Sequence, residues 1–253
     1  MRYPAPLIEG RLLRRYKRFL ADVEVEGGML TVHCPNSGSM AGLLREGNPV
    51  RISGPHGAHR KLLYTLEQVR IRRPDGKRLW VGVNTGVPNR LAREAAETGR
   101  LPGLEAYREV QSEVRLGSHS RLDLRLRGGG LPDCWVEVKN VTLVLDDPAS
   151  REGVNTGDIA AFPDAVTTRG AKHLRELQGR VRAGERAVML FIVQRSDAAR
   201  FAPAAGFDPH YAAELRAAAA GGVRLLAMVA RVRRSGITLG DPLPVLLPAA
   251  PSS

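Results

Sequence analysis

The chain has 253 residues, 43% hydrophobic and 25% charged, with 38 Lys+Arg against 26 Asp+Glu. That is enough apolar material for one large domain or two small ones, and no apolar run is long enough to cross a membrane. The net charge of +12 favours a polyanionic partner, although an Arg-rich solvated surface gives the same sum.

The start, MRYPAPLIEGRLLRRYKRF, has no continuous apolar stretch before a cleavage site, so no signal peptide is expected. Cys34 and Cys134 are far apart and match no zinc spacing. They read as reduced, half-buried thiols, and the expected location is cytoplasmic. Residues 1–84 hold 15 Lys+Arg and 7 Asp+Glu, while residues 85–253 hold 23 and 19. A basic module at 1–84 joined to a more neutral one at 85–253 is the simplest division.

From Ile8 to Val83 the chain reads as short strands and turns. Strands are expected at Phe19–Glu26, Met29–His33, Pro49–Ser53, Leu62–Arg70 and Leu79–Val83. Gly27-Gly28, Glu46-Gly47-Asn48 and Pro74-Asp75-Gly76 punctuate them. Five short strands without a long helix suit an oligonucleotide-binding (OB-like) β-barrel, and an SH3-like barrel would look similar. Arg14, Arg15, Lys17 and Arg18 interleave with Tyr16 and Phe19, a run suited to phosphate contact and base stacking. One amphipathic strand would show the same pattern. HCPNSGSM, residues 33–40, has small residues and Asn36 suited to a tight turn with exposed amides, which would either touch phosphate or serve only as turn chemistry. His33 and Cys34 within it read as barrel structure rather than metal ligands.

The texture changes near Asn84. Arg90–Ala96 reads as a helix closed by Gly99, followed by strands near Glu113–Leu116, Leu122–Arg127 and Cys134–Leu145. Thr168–Arg182 reads as a helix, with Leu174, Leu177 and Val181 on one face and Arg169, Lys172, His173 and Glu176 on another. Ala187–Gln194 is a buried strand, Tyr211–Ala220 a helix and Val223–Val232 a strand. This order defines an α/β core. The proline-rich tail is expected to fray.

RLDLRLRGGGLPDCWVEVKN, residues 121–140, alternates strictly, as strands with one buried and one open face do. A turn centred on Gly130 places Asp123 opposite Glu137 on the open face, with Lys139 two residues beyond. Facing carboxylates repel, and a divalent cation between them reverses that sign. Mg²⁺ or Mn²⁺ suits two carboxylates completed by water and phosphate. Lys139 would then act on water or offset charge on the phosphate, giving metal-assisted phosphodiester hydrolysis. A solvated face with Lys139 and the arginines pairing the acids is the other reading. Trp135 shares this face and reads as packing.

Asp123 followed by Glu137-Val138-Lys139 resembles the PD-(D/E)XK nuclease core. RLLRRYKRFLADV, HCPNSGSM, VNTGVPNRLAREA, CWVEVKNVTL, FPDAVTTRGAKHLREL and FAPAAGFDPHYAAEL together resemble the sugar fermentation stimulation protein family, SfsA. The resemblance implies an OB-like barrel, then a PD-(D/E)XK nuclease-like α/β domain. It also implies DNA binding and a regulatory role in sugar utilisation. Asp123, Glu137 and Lys139 fall on the nuclease motif. Glu94, in NRLAREA, falls on the helix glutamate that can complete a metal site. Arg169, Lys172 and His173 would then contact DNA or the scissile group. Asn140 stands where serine is more usual in the family, and residues 145–161 form a long polar stretch expected to be a flexible loop. A vestigial nuclease site in a DNA-binding regulator is the alternative. The expected partner is DNA rather than a membrane, and the oligomeric state is open, a homodimer being one option.

Overall fold

The structure, a computed structural model, describes residues 1–57, 60–73, 75–116, 120–145 and 158–247. The first unit is built from six strands. These are β1 (Ile8–Tyr16), β2 (Leu20–Val25), β3 (Gly28–His33), β4 (Pro49–Ser53), β5 (Thr65–Arg72) and β6 (Arg78–Gly82). They are ordered β3-β2-β1-β4-β5-β6, and a β3–β5 pairing curls the sheet onto itself. Leu12, Val23, Val32, Val50, Ile52, Leu66, Val69 and Val81 fill the interior.

The barrel has one strand more than the sequence pattern suggests. β1 carries charged residues on its outward positions, and its apolar signal is confined to Leu12 and its neighbours. The basic run does not continue as a strand. It stops at Tyr16, and Lys17 and Arg18 take positive φ angles of 47° and 61° in the turn to β2.

The second unit opens with α1 (Gly86–Glu97) and continues through β7 (Glu109–Leu116), β8 (Ser120–Arg127) and β9 (Cys134–Val141). β10 (Leu143–Leu145), β11 (Ile159–Phe162), α2 (Thr168–Arg182) and β12 (Arg186–Val193) follow. β13 (Arg200–Pro203), α3 (Pro209–Ala220), β14 (Arg224–Arg233) and β15 (Gly236–Leu243) complete it. The central sheet runs β15-β14-β12-β9-β8-β7, with β9, β12 and β14 parallel. Val136, Val138, Leu190 and Ile192 face α1, while Trp135, Val141, Met189 and Phe191 join α2 and α3 in a second core.

Three strands lie outside the expected pattern. β11 and β13 are four residues each, and β15 carries Pro242 and is the last strand of its sheet, with β14 on one side and only a bridge from Arg2 to Gly236 on the other. Proline is tolerated on such an edge, where one flank of the backbone has no ladder to join. The stretch expected at Cys134–Leu145 is two strands, because the chain leaves the central sheet after Val141 and pairs β10 with β11 instead. The expected loop at 145–161 is therefore flanked by a β-ladder, and residues 146–157 lie outside the described residues. The tail does not fray at once, since Val245 bridges to Phe201; residues 248–253 lie outside the described residues.

The crossover between the units is tied on both sides. Gly82 N–H donates to Gln194 O at 2.9 Å, Val83 N–H to Glu67 O at 2.9 Å and Thr85 N–H to Pro35 O at 3.1 Å. The first residues depart from the 1–84 division. Tyr3 N–H donates to Ser235 O and Ile237 N–H to Met1 O, each at 3.1 Å, so the N-terminus lies on the α/β unit.

Candidate metal and phosphodiester site

The hairpin register around Gly130 is the expected one. Leu124 pairs with Val136 and Leu126 with Cys134, and the ladder ends there. Beyond it β8 and β9 part. Val138 N–H, which a continued ladder would give to a carbonyl of β8, donates instead to Asp123 Oδ2 at 2.8 Å. Asn89, in the first turns of α1, donates its side-chain amide to Asp123 Oδ1 at 2.7 Å.

The face bearing Glu137 is not open, which corrects the sequence reading. The parallel neighbours β12 and β14 place it under α2 and α3, and Glu137 is 3% exposed. Lys139 Nζ donates to Glu137 Oε1 at 2.6 Å. His173, 4% exposed, donates from Nδ1 to the same oxygen. Glu137 Oε2 is buried and has no partner among the described residues. Burial pushes the Glu137 carboxyl up, but the bond from His173 and the charge of Lys139 outweigh it and hold it below the ordinary range. Asp123 goes the other way. Burial, then the charge of Glu137, push it up to about 6 against the pull of the Val138 amide.

These residues floor a cleft of about 1010 Å³ with Ser37, Thr85, Asn89, Arg115, Asn140, Arg169 and Lys172 among its walls. A smaller hollow of about 250 Å³ adjoins it and shares Ser37, Thr85 and Asn140. The barrel reaches the cleft through HCPNSGSM. Asn36 donates to Val83 O at 3.1 Å, and the Asp164 carboxylate accepts from Met40 N–H at 2.9 Å and Ser39 Oγ at 3.1 Å. A Cβ on Gly38 would lie 2.8 Å from both Asp164 carboxylate oxygens, so any side chain there would push the carboxylate from its place against Ser39 and Met40. Gln194 donates to Asn140 Oδ1 at 2.7 Å and to Asn84 O at 3.1 Å, fixing Asn140 between the two hollows.

The structure brings Asp123, Glu137, Lys139, Arg169, Lys172 and His173 to one cleft. It does not bring Glu94. That side chain is 46% exposed and pairs with the N-terminal ammonium at 2.9 Å and with Arg100 at 3.5 Å. The core face of α1 runs through Leu91, Ala92, Ala95 and Ala96, and Glu94 projects away from it. Asn89 is the α1 residue that reaches the carboxylates. It stands three residues before Ala92 and seven before Ala96, the spacing of the core face. His173 is also reassigned. It lies four residues before Leu177 on the buried face of α2, so it braces Glu137 instead of meeting solvent.

Of the basic run, Arg14 is paired with buried Asp22 at 2.8 Å, and Arg15 donates to Arg18 O and Asn36 O. None of the four basic side chains lines the cleft. Cys34 is buried with its Sγ 3.7 Å from Met40 Sδ, and burial pushes its thiol up. His33 packs against Phe19 at a ring separation of 6.3 Å. Both are barrel structure, as their sequence context implies. Trp135 is buried at 3% exposure, with Arg125 4.9 Å and Arg180 5.6 Å from its ring.

Among the described residues no three His, Cys, Asp or Glu side chains form a metal cluster. The donor set that exists is two carboxylates, one with a buried oxygen lacking any partner. That set fits a hard divalent cation whose remaining ligands are water and phosphate, as for Mg²⁺.

A small β-barrel fused to an α/β unit, with paired acids at the join, defines a two-domain architecture. Comparisons with known proteins agree. The family described as "SfsA N-terminal OB domain" matches residues 13–83, and "Sugar fermentation stimulation protein RE domain" matches residues 86–236. The chain belongs to the sugar fermentation stimulation protein (SfsA) family. It is 50% identical over 246 residues to a sugar fermentation stimulation protein homolog of Geotalea uraniireducens, covering 97% of this chain and 99% of that one. Against the homolog of Paramagnetospirillum magneticum the identity is 46% over 244 residues, 96% and 97% of the two chains. The solved structure of Pyrococcus furiosus SfsA in complex with Ca²⁺ superposes with a TM-score of 0.82 at 26% identity, covering 97% of this chain and 99% of that one. The OB barrel followed by an α/β domain is thus the fold of this chain. No helix among the described residues is long and apolar enough to cross a membrane.

Proposed function

We propose that the cleft is a divalent-cation-dependent phosphodiester hydrolysis site of the PD-(D/E)XK type, acting on DNA. The parting of β8 from β9 carries this reading. It leaves Asp123 and Glu137 side by side, one raised in pKa by burial and by the other's charge, and one with an orphaned oxygen. Unpaired buried polar atoms are costly, and a cation is the partner that removes both costs. The Pyrococcus furiosus relative was solved in complex with Ca²⁺, which supports a cation in this family.

Asp123 and Glu137 would hold Mg²⁺ or Mn²⁺, and the ion would supply positive charge to the scissile phosphate. Asn89 and the Val138 amide fix the Asp123 carboxylate, and His173 fixes Glu137. Lys139 Nζ, held at Glu137, is placed to offset charge as water adds to phosphorus and the P–O bond to the leaving oxygen breaks. Arg115, Arg169 and Lys172 on the walls would position the backbone.

The test is hydrolysis of single- and double-stranded DNA with Mg²⁺ or Mn²⁺. Asp123→Ala and Lys139→Ala should each abolish cleavage, while Lys139→Ala keeps most DNA affinity because other cations contact the backbone. Glu94 is held by the N-terminal ammonium and Arg100 and not at the cleft, which favours a second reading, a DNA-binding regulator of sugar utilisation that does not turn over. DNA binding without cleavage under any divalent ion would select it.

A further inference from the structure

The barrel carries a second basic surface, separate from the cleft. In the β5–β6 ladder Arg70 pairs with Trp80, and Arg72 with Arg78. Alternate residues of a strand share a face. Ile71, between the two arginines of β5, packs on the barrel core, so Arg70 and Arg72 point outward. Arg11 of β1 borders the same hollow.

Among the described residues, Arg11, Arg70, Arg72 and Arg78 have no carboxylate partner. The basic groups around them do. Arg51 pairs with Glu9 at 3.0 Å, and Arg73 and Lys77 both meet Asp75. Glu24 stands directly opposite Arg11 in the β1–β2 ladder, and Glu9, Glu24 and Glu26 share a hollow with Arg11 and Arg70, so the patch is most strongly positive at Arg72 and Arg78. Arg72 directly opposite Arg78 is a like-charge pair, which destabilises a sheet unless an anion lies between.

The geometry favours a linear polyanion. Arg70 and Arg72 are spaced along a strand by roughly 7 Å, and Arg78 extends the array sideways onto β6. A compact anion would satisfy one or two guanidiniums and leave the others. Trp80 already carries Arg51 at 3.8 Å and Arg70 at 5.5 Å from its ring, so a base would compete with two guanidiniums for it. The contact is therefore with phosphates, which guanidinium groups grip in a bidentate manner.

The patch is also displaced from the cleft. The cleft meets the barrel at Ser37, four residues after His33, which pairs with Thr65 at the start of β5. Arg72 lies seven residues further along β5, roughly 20 Å away along the strand.

We propose that Arg70, Arg72 and Arg78 bind the phosphate backbone of nucleic acid outside the cleft, so that one molecule is held at two places. The proposal rests on the DNA reading of the cleft for the identity of the polyanion. The test uses the full chain in EDTA with a labelled duplex of about 30 base pairs, which at ~3.4 Å per pair outreaches both sites. Dissociation constants are measured against salt for wild type, for Arg70/Arg72/Arg78→Gln, and for a cleft variant, Arg115/Arg169→Gln.

The triple variant should bind about tenfold more weakly or worse, with a salt slope lower by roughly 2–3, since each lost phosphate contact removes about 0.9. Its melting temperature should not fall, because the Arg72–Arg78 repulsion is relieved. Arg72→Gln alone should lower the slope by roughly 1 and serves if the triple variant folds poorly. An unchanged constant and slope in both patch variants overturns the proposal. If the cleft variant alone is unchanged, the cleft reading fails and the patch stands. Absence of salt-dependent binding by the wild type overturns both.

Discussion

Asp22 of the barrel is buried and Asp123 of the α/β domain half-buried, and the two are treated differently. In the barrel, Asp22 is 3% exposed and accepts hydrogen bonds from Arg14 at 2.8 Å, Thr31 at 2.8 Å and Tyr16 at 3.1 Å. The bond from Arg14 comes first in holding its carboxyl below the ordinary range. In the α/β domain, Asp123 has two neutral donors and an acid for a neighbour, and burial pushes it up to about 6. A buried charge with a full set of donors is a structural element. A half-buried charge set against another of the same sign is a site awaiting a counter-charge.

The largest expected effect is on metal-free stability, where one kind of substitution should have opposite signs at the two positions. Asp123→Asn removes the repulsion with Glu137. The amide oxygen introduced there can still accept from the Val138 N–H, and a flipped Asn89 can accept from the new NH₂. The pKa displacement of Asp123 corresponds to an upper bound near ~3 kcal/mol, so a gain of about 2 kcal/mol is expected in EDTA. Asp22→Asn turns an NH₂ toward a guanidinium and should lower the melting temperature by a few degrees. Mn²⁺ sharpens the contrast. At a hundred times its Kd it should stabilise wild type by about 2.7 kcal/mol and leave Asp123→Asn unmoved. Chemical denaturation with and without the ion checks both. Destabilisation by Asp123→Asn in EDTA would mean that Asp123 is structural, as Asp22 is.

The same contrast separates what is legible in the sequence from what is not. The alternation of residues 121–127 and 134–139 defines the strands, and the Gly130 turn defines their register, since both are local. The cover over Glu137 is not legible, because period 2 says which residues share a face and not what lies on it. That cover comes from parallel β12 and from α2 and α3, all after Glu137 in sequence. His173 stands at helical spacing from Leu177, a signal of burial that its charge masks. Asn89 is a neutral amide, which motif reasoning passes over, whereas Glu94 is pointed to only by the family resemblance. Ser37 and Gln194 come from opposite sides of the domain junction, and no local pattern links them to the hairpin. The arginines of β5 and β6 are counted in the net charge, but only the ladder shows Arg72 facing Arg78.

The two aspartates should also respond to pH in opposite directions in metal-free protein. For Asp123 the folded pKa, about 6, lies above the ordinary value of 3.8. The unfolded chain then binds fewer protons between those values, so its contribution to stability falls as pH rises from about 4 to about 6. For Asp22 the folded pKa is below the ordinary value. Its contribution is complete above that value and is lost as pH falls through the folded one. Melting curves across this range in EDTA, with each Asn variant subtracted from wild type, isolate the two slopes. Slopes of the same sign would break the comparison.

The smallest effect is expected where the sequence most invites a DNA contact. Arg14 sits in the most basic stretch of the chain, yet its guanidinium already pairs with Asp22 and lies 4.9 Å from the Tyr16 ring. It bonds Asp22 through Nε, so a phosphate would have to share the guanidinium with a buried carboxylate that already offsets its charge. The salt slope counts phosphates that are neutralised, not arginines that are present. Arg14→Ala should therefore leave the slope of DNA binding unchanged within error and alter affinity by no more than about twofold, against about tenfold for the β5–β6 patch. Arg15 separates position from charge in the same assay. Its guanidinium donates to Asn36 O at 2.7 Å and steadies the loop that brings Ser37 to the cleft. Arg15→Ala should weaken binding with little change of slope, because a loop is loosened and no phosphate contact is lost. A slope that drops by roughly 1 with Arg14→Ala would show that the pair with Asp22 opens on DNA, and would return the basic run to the binding surface.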